Sequence, residues 1–185
     1  TSARIDIISP AFIKNAYKRV PRQQGRGTEN THVLAPHITS FFHLLLRKAR
    51  VPDAWKEAKL TPIHKKGPVI SPNNYRMIAV SAPIYRLYTN VLRSIIQDWC
   101  IHHRKIPDTQ FGFYPGRSTL QPIFILRHLK NAAQKARSDT SRLFTAFIDF
   151  QQAYDSVPWE KLWKHLYYCR LPQQLIAILQ DLYHM

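Results

Sequence analysis

FIDFQQAYD, residues 147–155, is the stretch of this chain that decides most about its fold, because a hydrophobic run ends there at Asp149 and Asp155. Residues 143–150 are apolar enough to form a buried strand, yet they carry one acid near their C-terminal end. Burying an unpaired carboxylate is costly, so such an acid either faces solvent or is held by a cation. A strand, an acid, a short turn and a helix in this order would present Asp149 to a divalent metal ion.

The residues after Asp149 predict an amphipathic helix. Asp155 and Ser156 can accept hydrogen bonds from free N–H groups at a helix start, and Pro158 suits the first turn of a helix. The stretch therefore has a plain alternative interpretation, in which Asp149 ends a strand and Asp155 caps the helix without any metal. These residues alone do not choose between the two.

The charge of the chain is high and unevenly placed. The net charge is +16 over 185 residues, and the sequence pI is about 10.2. Residues 141–185 hold four basic and four acidic side chains, so the whole excess lies in residues 1–140. Such an excess predicts a polyanionic partner. A basic cradle for nucleic acid beside a neutral, metal-binding floor would give this division, and a generally basic protein is the alternative.

Other classes of protein find little support in the sequence. Cys100 and Cys169 lie far apart and give no reason to predict a disulfide or an extracellular setting. Cys100 lies close to His102 and His103, but there is no second cysteine pair with zinc spacing. Charges interrupt every apolar run before it reaches the length of a membrane span, so we expect no membrane partner. The chain begins with neither Met nor a signal-peptide pattern, and we expect it to be part of a longer protein.

Hydrophobic periodicity and turn residues predict an α/β chain, of the α+β kind, in which helices outnumber strands. The longest apolar stripe predicts core packing in a helix over residues 83–103. The other predicted elements are helices around 10–19 and at 36–50, 118–137 (capped by Ser118), 156–169 and 172–184, strands at 58–64, 75–80 and 142–150, and a polar linker or mobile loop at 21–30.

Three further blocks precede residues 147–155 in a fixed order. They read WKEAKLTPIHKKG (residues 55–67), NYR (74–76) and QFGFYPGRST (110–119). Together the four blocks closely resemble the reverse transcriptase of LINE-type (non-LTR) retrotransposons, over roughly residues 51–185. The family patterns are W-K-x-A-x-x-x-P-I-x-K-K-G, N-Y-R-P-I, Q-x-G-F-x-x-G-R-S-T and F-I-D-F-x-x-A-[FY]-D.

The resemblance implies the N-terminal part of a right-hand polymerase, with the fingers and the first palm motif. It divides the chain into an N-terminal extension with a basic linker (1–35), a fingers region (36–140) and a partial palm that carries the first catalytic aspartate (141–185). The predicted strands 58–64 and 75–80 could close a hairpin, which would belong to the fingers, and strand 142–150 would belong to the palm.

Two departures from the family pattern stand out. The family continues to an aromatic-x-Asp-Asp hairpin, and this sequence contains no Asp-Asp pair. We therefore expect no polymerase activity from these 185 residues alone. Met77 also stands where the family has a proline, which puts the aim of the neighbouring Arg76 in question.

The resemblance assigns the metal chemistry to the palm stretch. Nucleotidyl transfer uses two metal ions to activate the attacking 3′-hydroxyl and to neutralise the leaving pyrophosphate. Asp149 would ligate both Mg²⁺ ions, and the backbone carbonyl of Phe150 would ligate one. Tyr154 matches the aromatic steric gate that excludes a 2′-hydroxyl, with a core aromatic as the alternative.

The resemblance assigns the remaining contacts to the fingers. Arg76 would bind the triphosphate of a dNTP through its bidentate fork, with Lys65 and Lys66 as further candidates. The alternative for the lysine pair is a solvated turn. The implied template contacts are Gly112, Gly116, Arg117, Ser118 and Thr119. A tight turn that ends in a Ser-capped helix would also explain that set.

The implied partners are an RNA template, a DNA primer and dNTPs. A nuclear or ribonucleoprotein location follows from the family alone, and the oligomeric state is not predicted. Three hypotheses follow: part of an RNA-directed DNA polymerase, a non-catalytic basic nucleic-acid-binding remnant or co-opted fragment, and a purely structural basic domain. The four ordered blocks argue against the third.

Overall fold

The computed structural model describes residues 9–21, 28–135, 142–150 and 153–183. Helices predominate, and two antiparallel strand pairs accompany them. The elements are α1 (Pro10–Asn15), β1 (Tyr17–Pro21), β2 (Thr28–His32), α2 (Ala35–Lys48), β3 (Lys59–His64), β4 (Tyr75–Val80), α3 (Pro83–His102), α4 (Leu120–Lys135), α5 (Trp159–Tyr168) and α6 (Gln173–Tyr183).

The chain forms two compact units. The first comprises Thr1–Asp98 and Trp163–Met185, and the second comprises Trp99–Leu162. The helices predicted over 36–50, 83–103 and 172–184 are confirmed as α2, α3 and α6. No helix in the described part of the chain is long and apolar enough to cross a membrane.

The core of the first unit is built by α2, α3 and α6. Phe42 of α2 packs its ring against Tyr88 of α3, with 4.9 Å between the ring centroids, and Trp55 lies 5.7 Å from the same tyrosine ring. Each buried apolar side chain of this kind stabilises the fold by about 1.5–3 kcal/mol. The buried residues are Phe42, Leu45, Val51, Ala82, Tyr88, Leu92, Leu171, Leu175, Ile176 and Ile178.

The predicted hairpin between residues 58 and 80 is confirmed. Strands β3 and β4 pair antiparallel, with Ile63 opposite Arg76 and Pro62 opposite Met77. The side chains of β3 are all exposed, as are those of β4 after Tyr75. The hairpin therefore projects two accessible faces instead of packing one of them on the core.

The N-terminal prediction is partly wrong. Helix α1 ends at Asn15, and residues 17–21 pair with 28–32 as strands β1 and β2, where we expected a longer helix followed by a polar linker. An antiparallel ladder satisfies backbone donors and acceptors whatever the side chains are, so polar strands leave little trace in hydrophobic periodicity. The middle of the expected linker, residues 22–27, lies outside the described residues.

The strand predicted at 142–150 is also wrong. These residues form neither helix nor strand, and all their side chains are exposed. A strand needs a neighbour to pair with its backbone groups, and no segment within the described ranges forms a ladder with this one.

The expected cap of α5 is wrong as well. The helix begins at Trp159, and Pro158 precedes it directly, so Asp155 lies too far upstream to be the N-cap. Ser156 uses its hydroxyl to donate a hydrogen bond to the carbonyl oxygen of Ala153 at 3.2 Å. Both residues belong to a turn at 153–156 that leads into the helix.

Candidate nucleic-acid interface

The tip of the β3–β4 hairpin, residues 65–74, is fixed by side chains that bind its backbone. Asn74 Nδ2 donates to the carbonyl oxygen of Pro68 at 2.8 Å, and the Tyr75 hydroxyl donates to that of Val69 at 2.8 Å. His64 Nε2 lies 3.0 Å from the carbonyl oxygen of Gly67, which can only accept, so Nε2 must carry a proton for this bond to form. The tip is thus a shaped loop with its own hydrogen bonds.

Glycine is required at position 67 of this tip. Its φ of +87° lies in the left-handed region, and a Cβ there would come within 2.8 Å of Asn74 Nδ2. The chain reverses here so closely that the Lys65 N–H donates to the Asn74 carbonyl oxygen at 2.8 Å. The local backbone conformation therefore explains why Gly67 ends the first sequence block.

Three cations lie at the tip of the hairpin or close to it. Lys65 and Lys66 follow β3 at the tip, and Arg76 stands on β4 next to the tip. All three are exposed, and among the described residues none of them forms an ion pair. The hairpin brings together the three side chains that the sequence proposed for triphosphate binding. Met77, which replaces the family's proline, continues the β4 ladder opposite Pro62.

Arg117 organises a second loop, residues 107–117, in the other unit. One terminal guanidinium nitrogen donates to the carbonyl oxygens of Pro107 at 2.9 Å and Gln110 at 2.8 Å, and the other donates to Asp108 Oδ1 at 2.9 Å. The guanidinium carbon lies 4.0 Å from the centroid of the Tyr114 ring. Only 17% of the Arg117 side chain is exposed. This arginine is engaged mainly with its own loop.

The two glycines expected to approach a template differ in conformation. Gly116 has a φ of +73°, and a Cβ added there would meet nothing within 4 Å. Gly112 does not lie in the left-handed region, and its carbonyl oxygen accepts a hydrogen bond from Gln110 Nε2 at 3.1 Å. Gly116 is thus needed for its backbone angle, and neither glycine has a neighbour with which an added Cβ would clash.

The loop leads into α4 near the expected start. The Ser118 N–H donates to Gln121 Oε1 at 3.0 Å, which is the backbone half of a capping box. Ser118 and Thr119 are both exposed and directly precede the first residue of the helix. They therefore lie at the end of the helix where free N–H groups attract anions.

Asp149 lies on the exposed segment 142–150, and its neighbours are exposed too. Phe150 is 75% exposed and Tyr154 is 79% exposed, so the alternative of Tyr154 as a core aromatic is wrong. Within the described ranges, no group of three or more His, Cys, Asp or Glu side chains could hold a metal ion. Carboxylate and carbonyl oxygens are the right donors for Mg²⁺, but Asp149 and the Phe150 carbonyl are too few to form a protein site without further ligands.

An apolar groove runs beside this segment. Its volume is about 410 Å³, and its lining includes Leu126 and Lys130 of α4 and Leu143 and Phe147 of the exposed segment 142–150. The groove offers one cation and no carboxylate, so it is not a metal site.

Sequence reasoning missed the residues that shape the two loops. Asp108, which pairs with Arg117, was detectable as an acid close to the glycine-rich block. Asn74 was part of a quoted block but was given no role, although its amide fixes the hairpin tip. The backbone acceptors at Pro107 and Gln110 left no signal, because any residue type supplies a carbonyl oxygen.

Comparison with known proteins gives the family. Residues 63–185 match the model described as "Reverse transcriptase (RNA-dependent DNA polymerase)". The chain is 30% identical over 155 residues to "Probable RNA-directed DNA polymerase from transposon BS" of Drosophila melanogaster, an alignment that covers 78% of this chain and 17% of the relative. It is 25% identical over 155 residues to "RNA-directed DNA polymerase from mobile element jockey" of the same organism, with the same coverage.

A third relative agrees with these two. "Probable RNA-directed DNA polymerase from transposon X-element" of Drosophila melanogaster is 26% identical over 122 residues, which is 65% of this chain and 13% of that protein. No solved structure matches. The chain belongs to the reverse transcriptase family. Within that family the LINE-type (non-LTR) resemblance seen in the four blocks is confirmed, and the chain spans about a sixth of the length of the curated relatives that it matches.

Proposed function

We propose that this chain forms the fingers and early palm of an RNA-directed DNA polymerase of a non-LTR retrotransposon. In this role it binds an RNA template with its DNA primer and an incoming dNTP. The observation that carries the proposal is the hairpin tip, which is fixed by hydrogen bonds and has three exposed cations on it or close to it: Lys65, Lys66 and Arg76. The domain division at residues 35 and 140 remains a prediction.

The cations of the hairpin suit a triphosphate. A dNTP carries several negative charges, and an arginine fork binds two phosphate oxygens at once, while lysines act as point charges. Because the tip is held by Asn74, Tyr75 and His64, little order has to be gained when the phosphates bind. The cations therefore have both the charge and the preorganised support that phosphate binding requires.

Asp149 supplies one carboxylate for the catalytic metals. Bound Mg²⁺ would supply charge neutralisation at the reacting phosphate. In the proposed role the Asp149 carboxylate and the Phe150 carbonyl hold metal, and the exposed Tyr154 ring limits the space beside the sugar. Since no group of three or more His, Cys, Asp or Glu side chains among the described residues could hold a metal ion, we expect the purified 185-residue chain to show no templated dNTP incorporation. Incorporation that is abolished by Asp149→Ala would contradict this expectation.

The alternative of a non-catalytic nucleic-acid-binding remnant has no separate support. The three relatives are named as RNA-directed DNA polymerases or probable ones. The basic charge, the hairpin tip and loop 107–117 would support nucleic-acid binding equally well in a polymerase and in a non-catalytic remnant. The names of the relatives therefore favour the polymerase assignment.

Calorimetric titration with Mg·dTTP tests the hairpin. We expect Arg76→Gln to weaken binding, and Arg76→Lys to weaken it less, because the lysine keeps the charge and loses the fork. Lys65→Ala/Lys66→Ala should weaken it as well. Lys164→Ala, which removes an exposed cation from α5, is the matched control and should bind as the wild type does. Equal affinity for all variants would overturn the assignment of the hairpin.

Fluorescence anisotropy with a labelled RNA–DNA hybrid tests the cradle. Binding should weaken steeply as KCl is raised, because each phosphate that the protein neutralises releases counterions. A substitution that removes one cation from the phosphate backbone should lower the log–log salt slope by roughly 0.7–0.9. A flat salt dependence would contradict nucleic-acid binding through phosphates.

A further inference from the structure

We propose that Phe113 is a stacking platform for an unpaired base of the template strand, and that Arg117 is the residue that positions it. The nature of the ligand rests on the function proposed above. The assignment of these two roles rests on the geometry of loop 107–117. In this proposal Phe113 contacts the nucleic acid, whereas Arg117, the residue that the family pattern suggested for that contact, holds the loop in shape.

Phe113 is held out of the protein by its backbone. Its side chain is 87% exposed, and its φ of +59° places a bulky residue in the left-handed region, where glycine or asparagine is usual. Such strain persists only where the surroundings fix it, and it is concentrated at functional sites. An aromatic ring that is both exposed and held in an unfavourable backbone conformation is therefore a candidate contact residue.

Arg117 supplies the surroundings that fix this conformation. Its guanidinium joins Pro107, Asp108 and Gln110 at the beginning of the loop to its end, so that Phe113 lies within a closed span. The Gln110 side chain also holds the Gly112 carbonyl oxygen next to Phe113. With three hydrogen bonds inside the loop and little exposure, Arg117 is suited to positioning more than to binding a phosphate.

The other aromatic residues of the loop are already occupied. The face of the Tyr114 ring is covered by the Arg117 guanidinium at 4.0 Å, and Phe111 is half-buried. Phe113 is thus the member of this group whose ring remains accessible to a ligand. Among Phe111, Phe113 and Tyr114, Phe113 is therefore the candidate for stacking on a base.

A nucleic-acid base fits this ring better than a protein partner does. Phe113 is flanked by Gly112 and, after Tyr114, by the exposed Pro115 and Gly116, so it lacks the ring of packed neighbours that shields a protein hot spot from water. A flat base needs only the face of an aromatic ring, and the chain's net charge of +16 attracts the attached phosphates. Stacking is also tolerant of sequence, as a polymerase template contact has to be.

The test compares two RNA–DNA hybrids, one with a single-stranded 5′ template overhang and one blunt. Binding is measured by anisotropy, and 2-aminopurine in the overhang reports stacking on an aromatic ring. Phe113→Leu should weaken binding to the overhang hybrid roughly tenfold, abolish the change in 2-aminopurine fluorescence on binding, and leave binding to the blunt hybrid unchanged. Phe113→Trp is the matched control and should retain both signals.

The role of Arg117 is tested by the salt slope. Arg117→Gln should lose the 2-aminopurine signal as Phe113→Leu does, and the double variant should be no worse than either single one. The log–log salt slope should stay that of the wild type, whereas an arginine that neutralised a phosphate would lower it by roughly 0.7–0.9 when replaced. Asp108→Asn, which removes the ion pair at an exposed position, gives a second variant if Arg117→Gln fails to fold.

The outcomes separate this inference from the proposed function. If Phe113→Leu binds the overhang hybrid as tightly as the wild type, the stacking role is overturned while nucleic-acid binding stands. Equal weakening on the overhang and blunt hybrids would also overturn it, because the blunt hybrid offers no unpaired template base for the ring to stack on. Failure of the wild type to bind either hybrid would overturn the proposed function itself.

Discussion

Asp181 Oδ2 accepts a hydrogen bond from the backbone N–H of Val51 at 2.7 Å, across 130 residues of sequence. The other carboxylate oxygen accepts from Lys56 Nζ at 3.2 Å. Val51 is buried, and the amide side chain of Gln174 also donates to the Leu46 and Arg47 carbonyl oxygens at the end of α2. Polar contacts beside the apolar core therefore hold helix α6 against the end of α2.

Asp181→Ala should destabilise the first unit. It leaves the Val51 N–H without its acceptor and leaves the partly buried Lys56 ammonium with only the longer ion pair to Asp53, at 3.7 Å. We expect this to cost about 1–3 kcal/mol of unfolding free energy. Asp181→Asn keeps an acceptor for one of the two donors and should cost less. Urea denaturation followed by circular dichroism measures the stability of both variants. A midpoint for Asp181→Ala equal to that of the wild type would show that Asp181 does not stabilise the contact between α2 and α6.

Tyr88→Phe should leave the fold as stable as before or slightly more stable. The Tyr88 hydroxyl is buried, with 1% of the residue exposed, and it has no hydrogen-bond partner among the described residues. Burying a polar group without a partner is unfavourable, so its removal should change the unfolding free energy by between zero and a gain of about 1 kcal/mol. Tyr88→Leu, which removes the ring packed on Phe42, is the destabilising control. A clear decrease in stability for Tyr88→Phe would show that the hydroxyl has a partner.

The same tyrosine makes stability depend on alkaline pH. Burial raises the pKa of Tyr88 to about 12, from 10.0 in an exposed tyrosine. Between these values the unfolded chain has given up the proton and the folded chain has kept it, so stability falls as pH rises, by about 1.4 kcal/mol per pH unit. Below pH 10 the effect vanishes. Urea denaturation at pH 9 and pH 11 should show a smaller decrease in Tyr88→Phe than in the wild type, and equal decreases would refute the raised pKa.

The elements that could be predicted from sequence are those whose signal is local. Helix α3 repeats its apolar residues at helical spacing. Tyr88 and Leu92 of that stripe are buried as expected, whereas Leu87, Val91 and Ile95 are exposed, so the prediction of core packing holds for only part of the stripe. The β3–β4 hairpin was detectable from two short β-type runs separated by a turn with glycine and proline. In α3 and in the β3–β4 hairpin, the sequence pattern that predicts the element lies within the element itself.

The elements that failed depend on partners distant in sequence. Residues 143–150 have the composition of a strand, but hydrophobicity does not show whether a second strand lies beside them. The role of Arg117 depends on backbone carbonyl oxygens at positions 107 and 110, which no residue type reveals. The residues of the candidate site come from the family resemblance and stay a prediction, while the roles proposed for Arg117 and Phe113 rest on contacts that only the structure shows.

Gly116→Ala and Gly112→Ala form a matched pair in loop 107–117. Gly116 has a φ of +73°, so alanine there should cost about 1 kcal/mol of unfolding free energy, although a Cβ would meet nothing within 4 Å. A Cβ at Gly112 would meet only Gln110 Nε2, at an ordinary contact distance of 3.7 Å, so stability should be unchanged.

Gly112→Ala therefore serves as a probe of backbone approach by a ligand. If the template backbone passes close to Gly112, as the family resemblance implies, the added methyl group should weaken binding of the RNA–DNA hybrid without changing the urea midpoint. Anisotropy titration and urea denaturation on the same preparation separate the two effects. Because Gly112→Ala adds no charge and breaks no hydrogen bond of the loop, unchanged affinity would mean that the template does not pass within contact distance of this glycine.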